Sequence, residues 1–191
     1  MSGIKLFVGL GNPGAQYEHT RHNAGFWWID AIAAQTNSKL MLDAKMFGIV
    51  GKINTTTDRW LLKPTTFMNL SGKSIAALAN YYKINPAEIL VIHDELDLPA
   101  GTIKLKFGGG HGGHNGLKDT HRTLGTANYW RLRVGIGHPG DKNEVANFVL
   151  KPPLKNEQIL IEDSLYESTK LLSLLLAGEF DQAMLKLHTK K

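Results

Sequence analysis

The chain has no cysteine among its 191 residues, which excludes disulfides, thiolate nucleophiles and thiolate metal ligands. It has no apolar run of membrane-spanning length; the longest candidate, Leu171 to Ala177, is interrupted by Ser173. The N-terminus lacks the pattern of a secretion signal, since Met1-Ser2-Gly3 leads directly into an apolar segment. From these absences we expect a cytoplasmic protein with no membrane association. Three catalytic or binding signatures are missing as well. No Gly-x-Ser-x-Gly elbow is present, which argues against a serine hydrolase of that type. Gly72-Lys73-Ser74 looks like the end of a phosphate-binding loop, but the required glycine falls at Phe67 and the motif fails. Gly9-x-Gly11-x-x-Gly14 matches the dinucleotide fingerprint literally. Pro13 and the polar residues 15–22 nevertheless delay the helix it needs, and Asp30 falls inside a helical pattern.

What is present suits one globular domain over residues 1–191: 42% hydrophobic and 20% charged residues, enough to build a sizeable core. The net charge is +5, and it is concentrated. Residues 101–150 carry seven basic residues (Lys104, Lys106, Lys118, Arg122, Arg131, Arg133, Lys142) against three acids (Asp119, Asp141, Glu144), so this stretch holds +4 of the total. His111, His114, His121 and His138 lie there too. Such an excess suits a polyanionic partner, although charge alone does not separate that from a solvated surface.

Periodicity predicts strands at Ile4 to Leu10, Phe47 to Ile53, Arg59 to Lys63, Glu88 to His93, Thr102 to Phe107 and Arg131 to Gly137. The turn 54–58 makes the second and third of these an antiparallel hairpin. In the last two strands the basic residues alternate with apolar ones, which puts Lys104, Lys106, Arg131 and Arg133 on faces away from the core. Residues 15–22 read as a loop. Helices are expected after a cap at Asn23, from Ser71 to Lys83, from Leu117, and after Pro153 along the stripe Leu154, Ile161, Leu165, Leu172 and Leu176. A short helix from Glu179 to Leu187 follows, then the basic tail Lys190-Lys191. The fold class is α/β: a mixed central sheet flanked by helices in three layers.

Three polar residues follow apolar strands: Asn12, Asn69 and Asp94. Open α/β sheets form their sites at the carboxyl ends of strands, so these three are expected to converge. His22 stands just before the first helix, whose positive end disfavours imidazolium and would keep the ring able to act as a base, with Asp94 orienting it. Taken singly, His22 reads as readily as a surface-loop histidine, and Asp94 as a turn carboxylate. His19, His22, His93, His111 and His114 also raise a metal site, but zinc sites usually show tighter ligand sets, and no metal or cofactor is expected.

Five blocks carry a family resemblance. They are residues 7–14 with Tyr17 and 20–26 (Phe-Val-Gly-Leu-Gly-Asn-Pro-Gly, then Thr-Arg-His-Asn-Ala-Gly-Phe); 63–72 (Lys-Pro-Thr-Thr-Phe-Met-Asn-Leu-Ser-Gly); 93–99 (His-Asp-Glu-Leu-Asp-Leu-Pro); 108–117 (Gly-Gly-Gly-His-Gly-Gly-His-Asn-Gly-Leu); and 131–139 (Arg-Leu-Arg-Val-Gly-Ile-Gly-His-Pro). In this order and spacing the chain resembles the bacterial-type peptidyl-tRNA hydrolases. The resemblance implies an esterase that cuts peptide from the 3′ end of tRNA. It implies His22 as the base on water, Asp94 as its partner, and Asn12, Asn69 and Asn115 as positioning and intermediate-binding amides. Tyr17, Phe67 and Met68 would line the peptide cleft, with Asn69 and Asn115 also on substrate. Lys106 and Arg133, and with them His114, His138 and Lys142, would meet tRNA. A monomer is expected. Ala100 stands where many relatives have a second proline, and residues 121–128 depart most from the pattern and are expected at the surface. A non-catalytic RNA-binding relative of the same fold is the competing reading; the complete set of candidate catalytic residues favours the enzyme.

Overall fold

Four segments rich in β-branched and leucine residues make the parallel centre of the sheet: β1 (Leu6–Gly9), β4 (Arg59–Pro64), β5 (Ile89–Glu95) and β7 (Trp130–Gly135). In this computed structural model, which describes residues 2–189, they stand in the order β4-β1-β5-β7. β1 is buried along its whole length, as befits a parallel strand covered on both faces. β2 (Met41–Asp43) and β3 (Gly48–Ile53) extend one edge antiparallel to β4, and β6 (Ile103–Phe107) closes the other antiparallel to β7. The sheet is therefore mixed and seven-stranded, with order β2-β3-β4-β1-β5-β7-β6.

Successive residues of the central strands feed opposite layers. Phe7, Leu61, Leu90, Ile92 and Leu132 pack under α1 (Ala24–Gln35), α5 (Lys155–Thr169), α6 (Leu172–Ala177) and α7 (Phe180–His188). Leu6, Val8, Leu62 and Val91 pack under α2 (Ser71–Tyr81) and α3 (Asn115–Leu124). The three expected layers are present. α1 lies close on β1 because two glycines meet there: a Cβ on Gly9 would strike the Gly25 carbonyl, and one on Gly25 would strike that of Ile92. That close approach brings the residues just before α1 to the end of β5.

Several expectations need correction. Asn23 precedes α1, but its side chain makes no cap bond; it clasps the Asn12 backbone instead. Residues 15–22 hold one short 3-10 turn (Ala15–Tyr17) and lead into another (Arg21–Asn23). β2 and the short helix α4 (Val145–Val149) were not anticipated: β2 is brief and mostly exposed, and α4 has one buried residue. The stripe after Pro153 spans two helices, and its first member, Leu154, is 64% exposed, because α5 starts only at Lys155. Asp94 lies inside β5 rather than beyond it, paired in register with Val134. α3 starts two residues early, at Asn115, because the His114 side chain caps it. Lys190 and Lys191 lie outside the described residues.

Candidate active site

The end of β5 supplies the central carboxylate. Asp94 is 3% exposed and meets two imidazoles. His22, in the 3-10 turn ahead of α1, places Nδ1 2.9 Å from Asp94 Oδ2 and 3.1 Å from Oδ1. His114, at the start of α3, places Nε2 2.8 Å from Oδ1. The two histidine rings lie 4.9 Å apart.

Hydrogen-bond bookkeeping assigns the protons. His114 Nδ1 accepts the backbone N–H of Gly116 and of Leu117. With that lone pair in use, its Nε2 carries the proton and donates to Asp94. His22 donates through Nδ1 to the same carboxylate, which leaves Nε2 with a free lone pair. Burial works against the His22 imidazolium, but the charge and hydrogen bond of Asp94 outweigh it and raise the pKa above the ordinary 6.5. This reverses the expectation that the helix end holds the ring neutral; the carboxylate is the stronger neighbour. Burial alone would raise the Asp94 carboxyl, yet facing His22 and His114 holds it well below the usual carboxylate range. Ligand atoms of His22, Asp94 and His114 also lie within 4.8 Å of one another, a spacing that a metal ion requires. The His114 donor pattern does not fit that use: a ring whose Nδ1 accepts two N–H groups has no second lone pair to offer a cation.

A cleft of about 580 Å³ opens from this triad. Asn115 lines it, together with Lys106, Arg133, His138 and Lys142, so the residues expected to meet RNA share a cavity with His22 and Asp94. Arg133 enters already engaged, its Nε donating to Glu95 Oε1 at 2.8 Å. Burial would raise the Glu95 carboxyl, but that contact lowers it.

The remaining expected residues form a second group beside the cleft. Asn12 Oδ1 accepts the Met68 N–H at 2.7 Å, and Tyr17 and Phe67 meet edge to face at 6.3 Å. Phe67 is 56% exposed and Asn69 is exposed on the same turn. Met68 departs from its expected place: it is 4% exposed, packed with the α2–α3 core. Its backbone, not its side chain, reaches Asn12. The groups join where Asn23, the neighbour of His22, holds the Asn12 backbone N–H and carbonyl.

Two cleft residues take places that the sequence does not indicate. His93 is fully buried, donates through Nδ1 to the Asp94 carbonyl, and is driven by burial, with His114 adding to it, to a pKa of about 3. Alternation alone put Arg131 on an open face beside Arg133; it is 3% exposed because the glycine loop folds over it and its Nη1 donates to the Gly110 carbonyl at 2.8 Å. A two-residue period has no way to signal a loop returning over the strand.

Fold and site together define an α/β protein with a histidine–carboxylate pair and a cationic wall at the carboxyl ends of its parallel strands. The family model for peptidyl-tRNA hydrolase matches residues 6–191, and the chain belongs to that family. It is 63% identical over 190 residues to the peptidyl-tRNA hydrolase of Methylobacillus flagellatus, covering 100% of this chain and 99% of that protein. The Delftia acidovorans enzyme of the same name is 58% identical, over 98% of this chain and 91% of that one. The crystal structure of peptidyl-tRNA hydrolase from Acinetobacter baumannii superposes with a TM-score of 0.97 at 46% identity, over 100% of this chain and 97% of that one.

Proposed function

We propose that this chain hydrolyses the ester between a peptide, or an N-blocked aminoacyl group, and the 3′ end of tRNA, with His22 as general base. Hydrolysis of peptidyl-tRNA follows from family membership; the residue roles rest on geometry. One observation carries them: His22 spends Nδ1 on Asp94 and keeps Nε2 free beside a cationic cleft.

In this reading Nε2 takes a proton from water as the oxygen attacks the ester carbonyl. Asp94 stabilises the imidazolium that forms, without accepting its proton. The side-chain amides of Asn115, Asn69 and Asn12 offer neutral donors to the peptide backbone and to the developing oxyanion. Such donors ignore side-chain identity, which suits an enzyme that must take any peptide. Collapse of the tetrahedral intermediate expels the ribose oxygen, which recovers the proton from His22. Tyr17 and Phe67 would border the peptide, with Met68 supporting their turn from the core. Lys106, Arg133, His114, His138 and Lys142 would face the RNA, the lysines and Arg133 by charge and so without reading sequence.

We further place residues 1–191 in one domain, acting as a cytoplasmic monomer. No helix among the described residues is long and apolar enough to cross a membrane. Light scattering on the purified chain checks the oligomeric state. Release of free tRNA from N-acetyl-aminoacyl-tRNA tests the activity; binding without turnover would favour a non-catalytic RNA-binding protein.

A further inference from the structure

Residues 108–114 join β6 to α3 and supply part of the cleft wall, from Gly110 to His114. Gly108, Gly109, Gly112 and Gly113 all adopt positive φ, so this backbone has little intrinsic preference for one path. Side chains behind it hold two consecutive carbonyls. Arg131 donates to Gly110, and His121 Nε2 donates to the Gly109 carbonyl at 3.1 Å. A carbonyl only accepts, so the His121 proton sits on Nε2 and Nδ1 is left as an acceptor. The Tyr129 hydroxyl donates to that Nδ1 at 2.6 Å, from a ring with no exposed surface. His121, expected at the surface with the rest of 121–128, is thus half-buried and links the core to the loop. His111 on the loop meets it edge-on at 5.9 Å.

We propose that His121 is a positioning residue for ester hydrolysis: with Arg131 it fixes the path of the glycine loop, and so the seat of His114 on Asp94 and of Asn115 at the cleft. This rests on the hydrolytic reading of the site. His121 touches no substrate atom. The Gly108 N–H is held by the Tyr129 carbonyl at 2.9 Å and the Gly110 carbonyl by Arg131; the Gly109 carbonyl between them is held by His121, which removes the remaining freedom of the loop to rock between those two points. RNA encounter depends mainly on the exposed lysines of β6, with the half-buried Arg133 of β7 beside them. A slack loop therefore lowers the fraction of complexes in which His114 and Asn115 are in place, and leaves encounter alone.

The test uses the full chain and N-acetyl-aminoacyl-tRNA. For His121→Ala we expect kcat to fall about fivefold, the scale of one hydrogen bond, with KM within about twofold. His121→Gln presents an amide nitrogen where Nε2 stood and is expected to recover at least half of the lost rate. Without any substrate, amide exchange at Gly109 to Gly113 should speed up in the alanine variant and return towards wild type in the glutamine one. The thermal midpoint should fall by a few degrees at most, because the Tyr129 hydroxyl loses its acceptor. Wild-type kcat in His121→Ala, no rescue by glutamine, or unchanged loop exchange would each overturn the proposal. A wild-type chain with no turnover would sink the hydrolytic reading and the kinetic half of the proposal with it; the exchange measurement needs no substrate and still accepts or rejects the clamp.

Discussion

The two ends of the cleft are built on opposite terms. At the end of β5, Asp94 is sealed from water and both imidazoles that meet it have their protons assigned by fixed partners. Along β6 and β7, Lys104 and Lys106 stand in solvent, and Arg133 shares its charge with Glu95. Proton transfer needs one geometry held within tenths of an ångström, so its groups are buried and over-determined. Binding a polyanion needs charge near phosphates and tolerates loose geometry, so its groups stay hydrated. The first end should therefore govern kcat and the second KM and its salt dependence.

His22→Ala breaks the first end outright. We expect kcat to fall by about 10² to 10⁴, the usual worth of a general base, with KM and folding preserved. Initial rates at saturating substrate, with circular dichroism alongside, measure this; a near-normal rate would remove His22 from its role.

Asp94→Asn keeps the shape and removes the charge. The rate should drop by about 10² or more through a misoriented ring. The pH profile sharpens the point. In the native chain Asp94 raises the His22 pKa, so the ring becomes a base only as pH rises past a midpoint above the ordinary imidazole value. Without the carboxylate, the midpoint of the residual activity should move to lower pH. A midpoint that stayed in place would mean that Asp94 does not set the His22 pKa.

Much of this division was legible in the residues and part was not. β1, β5 and the α1 stripe announced themselves through runs and spacing that tertiary packing leaves intact. The candidate catalytic residues were singled out because open α/β sheets gather polar side chains at the carboxyl ends of their strands, and the family blocks named the rest. Asn23 and Met68 were misread for a common reason. Each has a local role available, a cap or a cleft-lining side chain, and a long-range contact took it over: the Asn12 backbone for one, the α2–α3 core for the other. Arg131 and His121 were invisible because what places them is the returning glycine loop, whose path no period encodes.

At the second end the expected effects are smaller. Lys106→Ala should raise KM several-fold, leave kcat nearly unchanged and flatten the salt dependence of binding by about one unit of log–log slope. Arg133→Ala should flatten it less, because that cation is partly cancelled by Glu95 before RNA arrives. A pure rate defect at saturating substrate in either variant would erase the contrast between the two ends.

Glu95→Gln is the mildest probe and reads that cancellation directly. Glu95 is the acid that occupies Arg133 on the cleft wall, and its carboxyl is kept ionised by that contact, so it presents a negative charge where phosphate would approach. Glutamine keeps the shape and an acceptor oxygen for Arg133 Nε while removing the charge. We expect KM to fall about twofold at low ionic strength and the advantage to fade as salt screens the wall, over a Debye length of about 10 Å at 0.1 M. Since β5 positions Asp94 through its backbone pairing with β7, kcat should hold. A rise in KM instead would show that Glu95 orients Arg133 for phosphate more than it neutralises it, and a fall in kcat would show that the charge at the rim reaches the buried pair after all.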